Sequence, residues 1–398
     1  MNMETRRNII FFDDTETRRH LLPLTYTRPA CHLRVGITTI EQKWRALLGD
    51  GHRYSYFTAS YLKVKYPTVA RSHNLMVAGH VVPTPALAEQ VMALRHGDAL
   101  IASDATLVAF NGAASEFDNR TWSREVAAGD VLAITRTYHI FENNAAVLQS
   151  DFEALTAGRQ SAPLPPSTTL IGPADRLFLE PDAVVDGATL NTREGCIYIG
   201  RDVEVMEGAC VRGPFAALDH SKVRIGAKVY GATTLGPHCK IGGEVENCVF
   251  IGYSNKAHEG FLGDAVIGQW CNIGGGTTAS NLKNDYSMIK MWNYADQRFV
   301  PTGLQFCGLM MGDHSKIGVN CMINTATVIG VGVELHGSGF PRNFVASFQT
   351  GSPAGYNTVA LPAFFAMAER VMARRGIALT DVDRDIFTAI YNLSDRYR

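Results

Sequence analysis

The residues best suited to chemistry lie between Tyr253 and Asn284, where the chain reads YSNKAHEGFLGDAVIGQWCNIGGGTTASNLKN. His258 is the lone histidine of this stretch and stands among Asn255, Lys256, Asn272 and Asn281. Histidine as a residue type titrates near neutrality, so it suits a base that takes the proton of an attacking amine. Asn272 and Asn281 are expected to orient that amine's carrier, with Lys256 beside them. The Gly274-Gly275-Gly276 turn carries no side chains. The backbone at Gly275 can therefore approach a carbonyl oxygen on which charge develops. These parts suit acyl transfer from a thioester to an amine. A hydrogen-bonded turn histidine is the plainer account of His258 taken alone.

Such residues must be held by a regular framework, and the sequence carries one. Ile-Gly pairs begin at positions 171, 199, 225, 241, 251, 267, 273, 317 and 329, with several gaps that are multiples of six. Each hexad supplies one inward aliphatic residue and one turn. Three hexads make a coil, and stacked coils bury each other's aliphatics. The periodicity predicts a solenoid of short parallel strands over 169–355. The hexads lapse between Leu282 and Gly308, where Trp292, Tyr294, Arg298 and Phe299 fall. That insertion either packs as an excursion or covers a site. After the solenoid, 356–398 reads as two helices, 363–375 and 381–396. Asp381 is the expected cap of the second, and Ile386, Ile390 and Leu393 its apolar stripe.

The first 160 residues follow another pattern. Strand-like runs at 8–12, 54–58, 75–78, 100–102, 107–110 and 131–134 alternate with helical periodicity at 40–48, 86–94 and 141–155. This predicts an α/β, Rossmann-like domain over 1–160 with an open parallel sheet and ligands at the strand carboxyl ends. The loop after the first strand carries Arg18, Arg19, Arg28 and Arg34, with Gly36 behind. Arginine holds phosphate with paired donors, but these groups have Asp13, Asp14 and Glu16 as alternative partners. The proline-rich run at 161–168 reads as the linker between the two domains.

Composition narrows the function. Of 398 residues, 37 are basic and 38 acidic, for a net charge of −1, so no bulk field draws nucleic acid or an anionic membrane. The 8 cysteines form no C-x-x-C pair, which disfavours zinc and suits reduced thiols. No run is long and apolar enough to span a bilayer, and a cytoplasmic protein is expected.

Two resemblances sharpen this. Leu22-Pro23-Leu24-Thr25, then Arg28-Pro29, resembles the first loop of sugar-nucleotide pyrophosphorylases, and Leu75 to Gly79 is similar to their metal strand. The likeness implies nucleotide contacts at Thr25, Arg28, Arg34, Gly36 and Gly79. The glycine-rich form of that loop is missing, and His80 stands where the family has its metal-binding Asp, which leaves Asp13, Asp14 and Asp104 as candidate Mg²⁺ ligands, Asp13 and Asp104 foremost. The stretch around His258 resembles the active-site coil of bifunctional UDP-N-acetylglucosamine pyrophosphorylase/glucosamine-1-phosphate acetyltransferases. Aligned on Leu262-Gly263-Asp264, the family's histidine falls on His258 and its two asparagines on Asn272 and Asn281. Phe261, Leu282 and Glu246 depart from the family's tyrosines and phosphate-binding lysine.

This second likeness implies a left-handed β-helix and a homotrimer. It also implies acetyl-CoA bound near Gly275, Gly337 and Arg342. The expected function is acetylation of glucosamine 1-phosphate, or a related amino sugar, followed by uridylyl transfer from UTP. Two alternatives stand beside it: one active half with the first domain a degenerate sugar-nucleotide binder, or a trimeric scaffold without catalysis.

Overall fold

The computed structural model describes residues 6–398. The described chain divides into two compact units, one comprising 6–21, Thr27–Leu33 and Thr38–Arg136, the other Leu22–Tyr26, Arg34–Ile37 and Thr137–Arg398.

The first unit is built on a six-stranded sheet. Its elements in chain order are β1 (Asn8–Phe12), α1 (Thr15–His20), α2 (Ile40–Leu48), β2 (Arg53–Phe57), β3 (Asn74–Ala78), β4 (Val81–Val82), α3 (Pro85–Ala93), β5 (Asp98–Ala102), β6 (Leu107–Gly112), α4 (Ala114–Asp118), β7 (Arg124–Gly129) and β8 (Leu132–Ala133). The sheet order is β2-β1-β3-β6-β5-β7. The central strands β1 and β3 are buried along their whole length, as their unbroken apolar runs require. The expected all-parallel sheet is corrected here. β6 runs antiparallel to both β3 and β5, because a four-residue turn joins β5 directly to β6 and leaves no room for a crossover. α2 starts in a capping box between Thr39 and Gln42 and buries Trp44, whose indole N–H donates to the Val81 carbonyl at 2.9 Å.

The second unit opens with α5 (His139–Glu142) and α6 (Asn144–Thr156) and continues as a left-handed parallel β-helix with three faces, carrying sheets of nine, ten and eight strands (the ten-strand sheet includes an antiparallel closing hairpin). Inward residues align coil upon coil. One ladder runs Leu179, Ile199, Ala217, Leu235, Phe250, Ile267, Met311, Ile329, Val345. Another runs Leu170, Leu190, Val211, Val229, Val245, Leu262, Ala279, Ile323. Each fully buried aliphatic contributes about 1.5–3 kcal/mol, so the ladders are the main reason the hexads stack.

At one corner of the prism a column of side chains stacks along the axis. His220, His238, Tyr253, Trp270 and His314 follow one another with centroids 4.6, 5.0, 4.2 and 6.0 Å apart. All five have positive φ, the left-handed conformation the tight corner demands. The column is interrupted at Gly332 and resumes at Phe348. A Cβ on Gly332 would lie 2.8 Å from the ring of Phe364, which fills the gap. Phe364 belongs to α7 (Leu361–Ala373), and α8 (Asp381–Ser394) packs Phe387 edge-on to His314.

Thr380, rather than Asp381, caps α8, since its hydroxyl accepts from the Asp383 N–H. Ile386 and Ile390 are buried as the stripe predicts, whereas Leu393 is exposed. The insertion forms a hairpin, Lys290–Asn293 against Arg298–Pro301, and stacks Trp292 on Phe344 of its own chain at 4.2 Å.

Two expected boundaries shift in packing terms. The helix Asn144–Thr156 belongs to the β-helix unit, with Leu148 and Phe152 against Phe178, Cys196 and Ala216. The proline-rich run lies against the first coils, where the Ala162 N–H donates to Leu179 at 2.9 Å. The eight cysteines are free thiols, and all but Cys210 are buried. Among the described residues no helix is long and apolar enough to cross a membrane.

Candidate active site

His258 is exposed at the mouth of a cavity of about 520 Å³ on the β-helix. Asn272, Gly275 and Asn255 share its lining, and so do Tyr253 and Trp270 of the corner column. The β-helix register explains the grouping. Asn255 and Asn272 are partners on adjacent coils, so side chains 17 positions apart become neighbours. The Asn255 Oδ1 is buried and has no hydrogen-bond partner among the described residues.

The cavity is electropositive. Lys240, Arg374 and Arg375 line it. Burial, then Arg375, Lys222, Arg224 and Arg374, hold the Lys240 ammonium below its ordinary pKa. Lys316 also lines the cavity, but its ammonium donates to the carbonyls of Trp270 and His314 at 2.5 and 3.0 Å, and burial lowers it to about 8. The turn that ends α7 supplies both arginines. From Phe364 at the level of Gly332 to the end of α7 at Ala373 is about 14 Å of helix, roughly the height of three coils, which brings Arg374 and Arg375, next in the chain, back to Tyr253 and Lys240. The terminal helices thus contribute charge to the cavity as well as shielding the corner column. The signal in the sequence was the Arg374-Arg375 doublet, which reads equally as a basic helix end.

Three expected contacts take other places. Lys256 occupies an inward rung beside Ile241, where a hexad normally has an aliphatic. Its ammonium donates to the carbonyls of Gly242 and His258, at 2.9 and 2.7 Å, and burial brings it down to about 8. Lys256 therefore braces the backbone of His258 from inside and does not face the cavity. Asn281 is buried away from the cavity lining and donates to Asp264 at 2.7 Å, and Asn247 holds the other Asp264 oxygen at 2.7 Å. Gly337 borders a separate crevice with Pro341. Arg342 lines a third cavity, of about 640 Å³, with Lys283, Lys290 and Phe299 of the insertion region and Arg398. Of the expected coenzyme residues, only Gly275 adjoins His258.

The expected nucleotide and metal residues are likewise dispersed. Arg34 is buried in the β-helix unit, donating to the carbonyls of Ile37 and Ile251, and burial lowers it to about 10. The Gly36 N–H donates to Asn144 at 2.7 Å, and its positive φ and the pressing Val147 and Asp151 side chains explain the glycine. Thr25 is buried in the same unit. These three are corrected from phosphate contacts to packing residues: their donors and surfaces are committed within the fold. Arg28 is buried in the α/β unit, and the Gly79 N–H donates to Phe12 at 2.8 Å.

Asp13 accepts from the Thr58 hydroxyl and the Ala30 N–H and lies 3.5 Å from Arg18. Burial outweighs these partners and raises its pKa. Asp104 accepts from the Thr106 N–H in its own exposed turn. A saturated, reluctantly ionised carboxyl and a turn-capping one do not fit Mg²⁺, which demands free oxygens in near-octahedral array. Buried His80 is lowered to about 4 by desolvation, against the opposing pull of Asp14 and Asp104.

Residues 9–160 match the family model described as sugar nucleotidyl transferase. The bifunctional protein GlmU of Synechococcus elongatus is 31% identical over 139 residues, covering 34% of this chain and 26% of that protein. The GlmU of Trichormus variabilis is 28% identical over 208 residues, 47% of this chain and 42% of that protein. A bifunctional sugar-1-phosphate nucleotidylyltransferase/acetyltransferase of Sulfurisphaera tokodaii is 28% identical over 145 residues, 36% of each. The match thus spans a quarter to two fifths of these relatives' length. Among solved structures, a GDP-perosamine N-acetyl transferase of Caulobacter crescentus, in complex with CoA and GDP-perosamine, is 10% identical over 89% of this chain and 97% of that one, with a TM-score of 0.20. A putative acetyltransferase of Bacillus cereus is 12% identical over 56% and 91%, with a TM-score of 0.22. By sequence, the first 160 residues of this chain are similar to sugar nucleotidyl transferases.

Proposed function

We propose that the β-helix transfers an acetyl group from acetyl-CoA to the amine of a phosphorylated amino sugar, glucosamine 1-phosphate or a close relative, with His258 as the base. The observation that carries this reading is an exposed imidazole on a cavity whose lining also holds Asn255, Asn272 and the three cationic side chains Lys240, Arg374 and Arg375. The amine nitrogen attacks the thioester carbonyl carbon, and the C–S bond breaks as the tetrahedral adduct collapses. His258 takes the proton the nitrogen must lose and returns it to the departing thiolate. Asn255 accepts a hydrogen bond from the amine or a neighbouring hydroxyl, and Asn272 lies next to it across the coil. Lys240, Arg374 and Arg375 attract the phosphate groups that both substrates carry. Acetyl-CoA turnover with glucosamine 1-phosphate, measured by thiol release, tests the reading. Equal turnover in wild type and His258→Ala would overturn the base role, and absence of turnover in both would favour a scaffold.

The similarity of residues 9–160 to sugar nucleotidyl transferases supports a second step, uridylyl transfer from UTP to the acetylated sugar 1-phosphate. The poor fit of Asp13 and Asp104 to Mg²⁺ favours the other reading, a first domain that binds a sugar nucleotide without turning it over. Pyrophosphate release in the presence of UTP and Mg²⁺ separates the two. A homotrimer through the β-helix is part of the proposal, and sedimentation of the full chain tests it.

A further inference from the structure

A cavity of about 420 Å³ opens in the α/β unit, lined by Arg6, Arg7, Asn8, Arg53, Arg71, His73, Asn74 and His96, among others. Its place in the sheet is defined by the strands that feed it. Asn8, Arg53 and Asn74 are the first residues of β1, β2 and β3. The cavity therefore sits at the amino ends of the parallel strands. Asp13 and Gly79 follow the carboxyl ends of β1 and β3, so this is the opposite edge from the one where such folds bind their substrates.

Three features point to a ligand. First, four guanidinium groups line the cavity, and among the described residues Arg6, Arg7, Arg53 and Arg71 make no ion pair. Among the described residues, the carboxylate paired with a lining side chain is Glu116, 3.6 Å from His96. Like charges gathered without counter-charge repel one another unless an anion joins them. Second, the Arg7 Nη1 is buried with no hydrogen-bond partner, while its Nη2 donates to the Met92 carbonyl at 2.7 Å. The guanidinium is thus pinned by one edge with a donor left over. Third, Asn8 is only 8% exposed, and its Oδ1 is likewise without a partner. Its Nδ2 is committed to Val69 and Asn74, both at 2.8 Å, which fixes the amide's orientation. A buried acceptor among arginines calls for a hydroxyl donor, which an inorganic anion such as sulfate does not offer.

We propose that this cavity binds a hydroxylated phosphate ester of the sugar phosphate class, its phosphate held by Arg7, Arg53 and Arg71 and a hydroxyl donated to Asn8. The site is independent of the His258 cavity and of any reaction there.

The test uses the full chain and arginine modification by phenylglyoxal, read residue by residue by mass spectrometry. Glucose 1-phosphate is the probe, with glucose and inorganic phosphate as comparisons. Glucose 1-phosphate is expected to slow modification of Arg53 and Arg71 about tenfold, at concentrations where glucose does nothing and phosphate protects far less. An Arg53→Gln/Arg71→Gln variant, altered at two exposed positions, should keep its melting temperature and bind glucose 1-phosphate at least tenfold more weakly at this site. Reporting on Arg7 in that variant keeps the measurement specific to the cavity. Unchanged modification of Arg53 and Arg71 at saturating glucose 1-phosphate overturns the proposal. Equal protection by inorganic phosphate overturns the ester and leaves only a phosphate site.

Discussion

Residue by residue, the cavity on the β-helix separates groups that meet substrate from groups that hold the wall. His258 is exposed and unencumbered on its ring, while its carbonyl is gripped from within by Lys256. Replacing His258 by Ala is expected to lower acetyl transfer by about 10²–10⁴-fold with binding of acetyl-CoA preserved, since a base contributes to the chemical step rather than to affinity. Thiol release and calorimetric binding on the same variant check this.

Lys256 gives a prediction with a sign. Burial brings its ammonium to about 8, below the ordinary lysine value of 10.5 that the unfolded chain retains. Between those two values the unfolded chain binds more protons at this residue than the native one, so the group favours folding increasingly as pH rises through the window. Wild type should therefore gain urea resistance relative to Lys256→Met on going from pH 7.5 to pH 9.5. Parallel curves for the two proteins would remove the buried charge from the account. Lys316, also near 8, titrates in both and cancels.

Among the elements, α7 is the one whose docking matters most for the site. Phe364 enters the column of corner side chains where Gly332 leaves room, and Arg374 and Arg375 follow directly after the helix. Phe364→Ala is expected to cost about 3–5 kcal/mol, read from urea unfolding, because a fully buried ring is lost from a packed site. Gly332→Ala should loosen the same helix for two reasons, a strained positive φ and a Cβ only 2.8 Å from Phe364. Arg374→Gln/Arg375→Gln leaves the docking ring in place. It should raise KM for a phosphorylated substrate about tenfold with a smaller change in kcat, the pattern of uniform binding lost. A fall in kcat alone would place the arginines in the chemistry instead.

For the whole molecule, the open question is whether two chemistries run in one chain. A single incubation with glucosamine 1-phosphate, acetyl-CoA, UTP and Mg²⁺, with each product quantified, is expected to yield the N-acetylated sugar phosphate. If pyrophosphate appears as well, the α/β unit is active. Its absence leaves that unit a binder, in keeping with an Asp13 whose oxygens are already engaged by Thr58, Ala30 and Arg18.

The sequence by itself determined whatever depends on local periodicity. The Ile-Gly hexads specified stacked coils, and the unbroken apolar runs at β1 and β3 specified buried central strands. His258 stood out because a lone histidine sat in a repeat of aliphatics and glycines. Only the tertiary structure decided which polar residues face the same space. A coil advances about 17 positions per turn here, so Asn272 comes to Asn255, while Asn281 turns to Asp264. Lys256 looked like a substrate contact by its charge and proved to be an inward rung, because the face a strand residue takes is set by its register and not by its type. Arg34 and Gly36 followed a plausible phosphate-loop spacing, yet Ile251 and Asn144, over a hundred positions away, claimed their groups. The three cationic side chains at the cavity came from two segments 134 positions apart, a convergence no local pattern carries.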